Sequence, residues 1–162
     1  MSEQQAAAPQ GQFAIQKIYL KDVSFESPVS PEVFTKKWEP EVNMEINTAS
    51  KSIADDVVEV VLNLTITVKL EKKTAYLAEV QQAGIFTIKG LTEAEKSRVI
   101  ATACPNILFP FGREAVAEIV SKGGFPQLLL APVNFEAIYA QHQAQQAKAK
   151  EEQGQVPSDA MH

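Results

Sequence analysis

The 162-residue chain has a single cysteine, Cys104, and two histidines, His142 and His162. One cysteine excludes an intrachain disulfide framework. No two cysteines or histidines stand at zinc-ligand spacing, so no metal site is expected. Neither histidine lies near Cys104 in sequence, and a cysteine nucleophile needs a base or a positive environment to become a thiolate. Gly123–Gly124 lacks the lysine and spacing of a phosphate loop, and no cofactor is expected. Clustered basic residues are also missing. Lys36–Lys37 and Lys72–Lys73 are only pairs in a chain of net charge −5, which argues against nucleic acid as a partner. No apolar run approaches the ~20 residues that span a bilayer. The opening MSEQQAAAPQGQ shows no charged region followed by an apolar one, so no secretory signal is expected. Together these absences predict a cytoplasmic protein in a reducing compartment, without direct membrane insertion and not an enzyme.

What is present is a core. With 45% hydrophobic residues, the chain is long enough for one domain burying roughly 70% of its unfolded surface. Residues 1–12, polar and rich in alanine and glutamine, read as a disordered N-terminal tail, and 143–162 as a flexible C-terminal tail that starts with helix formers. The ordered unit is then 13–142.

Its first part is β. Over 13–26, strict alternation puts Phe13, Ile15, Tyr19, Val23 and Phe25 on one face and Ile18, Leu20, Asp22 and Glu26 on the other. SPVSPE is a loop, because Pro28 and Pro31 remove ladder donors. A second strand spans 38–46, with Pro40 placing it at an edge or near its own start. The third, 57–70, sets Val58, Val60, Leu62, Leu64, Ile66, Val68 and Leu70 against Glu59, Asn63, Thr65, Thr67 and Lys69. EKKT turns into a fourth, 74–88, where Tyr76, Ala78 and Val80 oppose Leu77, Glu79 and Gln81. Four antiparallel strands in a meander are predicted.

A capping box at Thr92 and Glu95 opens a helix of about 30 residues, kinked by Pro105 and Pro110 and stopped by Gly123. Asn134 caps a shorter helix carrying Phe135, Ile138 and Tyr139 on one side. Strands and helices are segregated, which makes an α+β domain: a four-stranded antiparallel sheet with one long kinked helix and one short C-terminal helix.

The acidic pairs, Asp55–Asp56 and the alternating Glu39, Glu41 and Glu45, read as solvated surface. The apolar sets are more telling. Val29, Val33, Phe34 and Trp38 follow the proline-rich loop, and they either pack as core with Phe135, Ile138 and Tyr139 or line a groove with them, open to an extended apolar peptide.

The segments IYLKDVSFE (18–26), PEVNMEINTAS (40–50), ADDVVEVVLNLTITV (54–68), EVQQAGIFTI (79–88), CPNILFPFGRE (104–114) and FPQLLLAPVNFEAIY (125–139) together resemble the SecB family of bacterial export chaperones. The resemblance is collinear over 13–140; the tails depart from it. It implies an ATP-independent holdase, a homotetramer built as a dimer of dimers, that keeps unfolded precursor proteins competent for translocation and delivers them to the SecA motor ATPase. By position, it implies that Asp22, Glu26, Leu77 and Glu79 meet SecA, with the C-terminal tail as a secondary contact. It assigns Val29, Val33, Phe34, Trp38, Phe135, Ile138 and Tyr139 to the client groove, and Ala78, Val80 and Gln82, with the long helix, to subunit assembly. The alternative within the resemblance is a SecB-like chaperone dedicated to one partner, such as a toxin–antitoxin pair. A thioesterase-like enzyme, the rival from another class, would need an acid or histidine poised in a tunnel.

Overall fold

The computed structural model describes residues 11–154. Strands β1 (Gln12–Glu26), β2 (Glu41–Ala54), β3 (Val57–Leu70) and β4 (Lys73–Lys89) precede helices α1 (Glu93–Ala101), α2 (Ala103–Lys122) and α3 (Phe135–Gly154), with a 3-10 turn at Glu32–Thr35. The sequence expectations for the N-terminal tail over 1–10 and the C-terminal tail over 155–162 lie outside the described residues. Between them α3 continues as one helix through 143–154, a run of alanine, glutamine, lysine and glutamate whose side chains are all exposed. Intrinsic propensity alone favours helix there.

All four strands are antiparallel, but they do not form a meander. The sheet order is β1-β4-β3-β2, because β1 pairs with β4 along its whole length. The chain leaves one edge at Glu26 and re-enters at the opposite edge at Glu41, so residues 27–40 cross an end of the sheet. Alternation tells which side of a strand meets the core and says nothing about which strand lies beside it. The central places go to β3 and β4, whose inward faces are almost wholly buried. The half-polar β1 and β2 take the edges, where one ladder remains unpaired.

β2 also extends past 46. Its pairing with β3 continues from Ile46↔Leu64 to Ala54↔Val57, and the hairpin is only Asp55–Asp56, with Asp56 at φ 59°. TASKSI carries few apolar residues because both of its faces are exposed. Glu71 and Lys72, at φ 52° and 68°, make the second two-residue hairpin, as EKKT suggested.

The helical region opens on the expected box: Thr92 Oγ1 accepts from the Glu95 N–H at 3.2 Å, and the Glu95 carboxylate accepts from the Thr92 N–H at 2.9 Å. The predicted single helix is two helices, broken at Thr102. Proline clashes with the carbonyl four residues earlier, so Pro105 cannot sit over a regular turn at Ala101. The break puts Pro105 in the first turn of α2, where its missing N–H costs nothing. Thr102 closes the gap by donating from its hydroxyl to the Arg98 carbonyl at 2.7 Å. Pro110 stays inside α2; it deprives the Asn106 carbonyl of a partner, and Asn106 is exposed to water.

Gly123 is the last residue of right-handed geometry, and Gly124, at φ +88°, is the left-handed stop. The Gly124 N–H donates to Ser121 O at 3.1 Å and Phe125 N–H to Val120 O at 3.3 Å, the paired bonds of a Schellman end. α2 covers the side of the sheet carrying the even residues of β3 and β4. A Cβ on Gly123 would stand 2.3 Å from the Phe25 ring, which stacks on Tyr76 with centroids 5.6 Å apart. Gly123→Ala should therefore destabilise the domain by about 1–3 kcal/mol through overpacking, read as a lower midpoint in urea unfolding.

Candidate functional site

Two surfaces remain once the core is assigned: the sheet face opposite α2, and an apolar belt along the loop and helix side.

The open sheet face is built by residues that oppose one another across the ladder. Glu26 lies opposite Leu77, Ser24 opposite Glu79, and Asp22 opposite Gln81. Asp22, Glu26, Leu77 and Glu79 therefore share one patch, although two strands 50 residues apart in sequence contribute them. Ser24 Oγ donates to the Glu79 carboxylate at 3.3 Å. On the far side of β3, Glu45 opposes Thr65, which itself opposes Glu79, so the acidic row reaches β2. Asp22, Glu26, Glu79 and Glu45 are all exposed.

This patch corrects the alternation read from the sequence. Phe13, Ile15, Ile18, Leu20, Val23 and Phe25 all face the helix side, opposite Ile88, Phe86, Gly84, Gln82, Val80 and Ala78. Tyr19 faces the open side with Asp22 and Glu26. Two register shifts make this possible, one between Ile15 and Lys17 and one between Leu20 and Asp22. Each inserts one residue and reverses the parity of the strand. No local signal in the sequence marks them, and strict period-2 counting misplaces Ile18, Leu20 and Tyr19.

On the open face the Tyr19 hydroxyl donates to the Glu59 carboxylate, and Lys21 Nζ lies 2.9 Å from the same group. Tyr19 is pushed up to about 12 by burial and, after that, by its bond to Glu59 and the charge there. Glu59 is lowered below its ordinary range, first by the Tyr19 hydrogen bond and then by the Lys21 one. This network was missed at the sequence level, since it joins residues 40 apart.

The apolar belt has two parts. Phe125 is the centre of the first, with Phe34, Trp38 and Tyr76 rings at centroid distances of 5.0, 5.5 and 4.8 Å. Val33 is buried in the core and Val29 packs against it, while Phe34 is 51% exposed. In the second part, Ile138 and Tyr139 form a cleft of about 340 Å³ with Ile46, Thr48, Ala101, Phe135 and His142. Phe135 is itself buried and meets the Phe109 ring edge-on at 6.0 Å. The structure brings Val29, Val33, Phe34 and Trp38 together around Phe125, and Phe135, Ile138 and Tyr139 together against β2. The two sets stand at opposite ends of the irregular segment 125–134. That segment presents Leu129 at 72% exposure. Phe125 and Leu129 escaped the site reading; their signal is an apolar run, FPQLLLAPV, with neither helical nor strand period.

α3 is positioned by its cap and by α1. Asn134 Oδ1 accepts from the Ala137 N–H at 3.0 Å, as the sequence suggested, and Arg98 bridges to Glu136 at 3.0 Å. Ala78, Val80 and Gln82 lie under α2, at 0%, 1% and 5% exposure. Any effect they have on assembly must pass through the helix layer. Cys104 is fully buried, and desolvation pushes its thiol up to about 12, away from the thiolate a nucleophile requires. Among the described residues no group of three or more His, Cys, Asp or Glu is placed to hold a metal, and no helix is long and apolar enough to cross a membrane.

A depressed carboxylate stabilises the fold above its unfolded pKa and loses that contribution as pH falls through the folded value. Tyr19→Phe should thus cost about 1 kcal/mol near neutrality. The deficit in urea unfolding should shrink as pH falls below the ordinary carboxylate range and Glu59 is protonated in both states.

Residues 4–146 match the family model described as preprotein translocase subunit SecB. The chain is 57% identical over 145 residues to a protein of Methylococcus capsulatus named protein-export protein SecB, covering 86% of this chain and 94% of that one. A protein of the same name from Hahella chejuensis is 54% identical over 156 residues, covering 94% and 98%. Among solved structures, the fold is shared with a SecB-like chaperone of Mycobacterium tuberculosis, solved with a peptide from an antitoxin. The TM-score is 0.64 at 18% identity, over 75% of this chain and 91% of that one.

Proposed function

This chain belongs to the SecB family of protein-export chaperones, and on that premise we propose that it is an ATP-independent cytoplasmic holdase. It binds unfolded precursors, keeps them competent for translocation and hands them to the SecA motor ATPase. The observation that carries the reading is the division of the surface into an apolar belt and an acidic sheet face, which this reading assigns to different partners.

The belt suits clients of unrelated sequence. Apolar contact is non-directional, worth roughly 25 cal/mol per Å² before ordering costs are subtracted. Phe34, Leu129 and Ile138 are each about half exposed or more, and they stand on or beside the two aromatic clusters. Such patches hold a disordered chain weakly. In a homotetramer, the assembly we propose, a long precursor could engage several belts and gain about 10²–10⁴-fold in avidity. Ala78, Val80 and Gln82 would influence that assembly by fixing how α2 lies on the sheet. Broad capture also separates this reading from a chaperone dedicated to one partner, and relatives at 54–57% identity named for export favour the general role.

The acidic face suits a cationic partner. Asp22, Glu26 and Glu79 flank Leu77 on a rigid ladder, so a basic segment of SecA would find three carboxylates and one apolar contact in fixed positions. Charge pairing of this kind raises the encounter rate and fixes orientation. The C-terminal tail, 143–162, supplies a secondary contact with SecA in this scheme.

Asp22→Lys or Glu79→Lys should weaken SecA binding about tenfold or more by calorimetry, while suppression of precursor refolding stays intact; unchanged affinity in both variants removes the docking role. Phe34→Ala combined with Ile138→Ala should have the reverse effect. Both side chains are about half exposed, so truncation removes client contact with little loss of core. Full suppression of precursor refolding by the double variant would count against the belt.

A further inference from the structure

We infer that a two-sided polar clamp made by Gln82, Tyr19, Lys21 and Glu59 selects which residue of β1 bulges, and thereby places Asp22 instead of Lys21 on the docking face. The inference rests on the docking role proposed for that face.

The apolar pattern of β1 demands one extra residue between Leu20 and Val23. Leu20 opposes Gln82 and Val23 opposes Val80, so two residues of β1 share the single place opposite Gln81. Either Lys21 or Asp22 could be the extra one without moving any apolar side chain from the helix side. In the structure Asp22 opposes Gln81 and Lys21 is the extra residue. The other choice would set a lysine beside Glu79 and reverse the charge at one corner of the acidic patch.

A bulge leaves backbone groups outside the ladder, and those groups need other partners. From the helix side, Gln82 Nε2 donates to the carbonyl oxygen of Tyr19 at 3.1 Å. Gln82 is 5% exposed and lies beneath Gly112, where a Cβ would stand 3.5 Å from the Gln82 Cβ and 3.0 Å from Leu64 Cδ1. The glycine spares the Leu64 methyl, while Gln82 lies at ordinary contact distance beneath α2. From the open side, Lys21 reaches across β4 to Glu59 at 2.9 Å, and the Tyr19 hydroxyl donates to the same carboxylate. Glu59 stands on β3 opposite Ile85, and Tyr19 opposes Ala83, so the bridge passes over a small residue. Lys21 makes this bond as the residue released from the ladder, so the bond favours that register. Gln82, Tyr19 and Glu59 are positioning residues: they act on the partner through Asp22.

The test is a pair of variants, Gln82→Met and Tyr19→Phe/Glu59→Gln, each read in two ways. The second variant changes only the open face and guards against a folding failure of the first. Cross-strand proton contacts by NMR report whether Asp22 or Lys21 opposes Gln81; calorimetry reports SecA affinity. The expected result is loss of the Asp22–Gln81 contacts, appearance of Lys21–Gln81 contacts, and at least a tenfold weaker SecA complex, with precursor holding unchanged in the open-face variant Tyr19→Phe/Glu59→Gln. Asp22–Gln81 contacts that persist in both variants overturn the clamp. A register that moves while SecA affinity stays the same upholds the clamp and overturns the docking role of the face.

Discussion

Everything in this domain depends on the burial of one sheet face beneath α2. Val60, Leu62, Leu64, Ile66 and Val68 of β3, with Tyr76, Ala78, Val80, Phe86 and Ile88 of β4, are all at most 2% exposed on that side. The covering helix contributes Cys104, Leu108, Val116 and Val120, which are wholly buried. Non-directional apolar burial of this extent fixes the sheet's inner and outer sides for all four strands. It also places Cys104 where a thiol behaves as a small packed apolar group.

The opposite face is freed by the same arrangement. Among the described residues no layer covers it, and it carries hydrogen-bonding and charged side chains in rows set by the ladder, with the acidic patch at one end. Rigid backbone, not loops, holds its carboxylates, so spacing is a property of the sheet. The two bulges of β1 show how strongly the buried side governs the exposed one. They insert residues so that Phe13, Ile15, Ile18, Leu20, Val23 and Phe25 all lie on the helix side, and the polar residues fall where the remaining positions put them.

The apolar belt follows from a different limit. Residues 27–40 and 125–134 are irregular, and they meet where the exposed Phe34 and the half-buried Trp38 pack on Phe125, a buried residue at the edge of the core. Segments with no ladder of their own can present aromatic and aliphatic groups at intermediate exposure. That suits contact with chains that have no fixed shape, and it asks nothing of side-chain readout.

Much of this was legible in the residues. The α+β class, the inward face of 57–70, the faces of 74–88, the capping box at Thr92 and Glu95, and the Asn134 cap depend on contacts within a few residues, and each stands as read. Strand order, the break at Thr102, the length of β2 and the two bulges did not follow, because each is decided by neighbours distant in sequence. Pro105 shows the boundary well: the proline announces a disturbance, but only packing on the sheet decides whether the helix bends or restarts. By itself, then, the sequence determined which residues prefer burial and which turns and caps they can form, since those are local free energies. Tertiary structure alone decided that Asp22, Glu26, Leu77 and Glu79 meet on one face. That meeting requires β1 to lie beside β4 in this register, with residues 27–40 crossing the end of the sheet, and strand order is settled by burial summed over the whole domain.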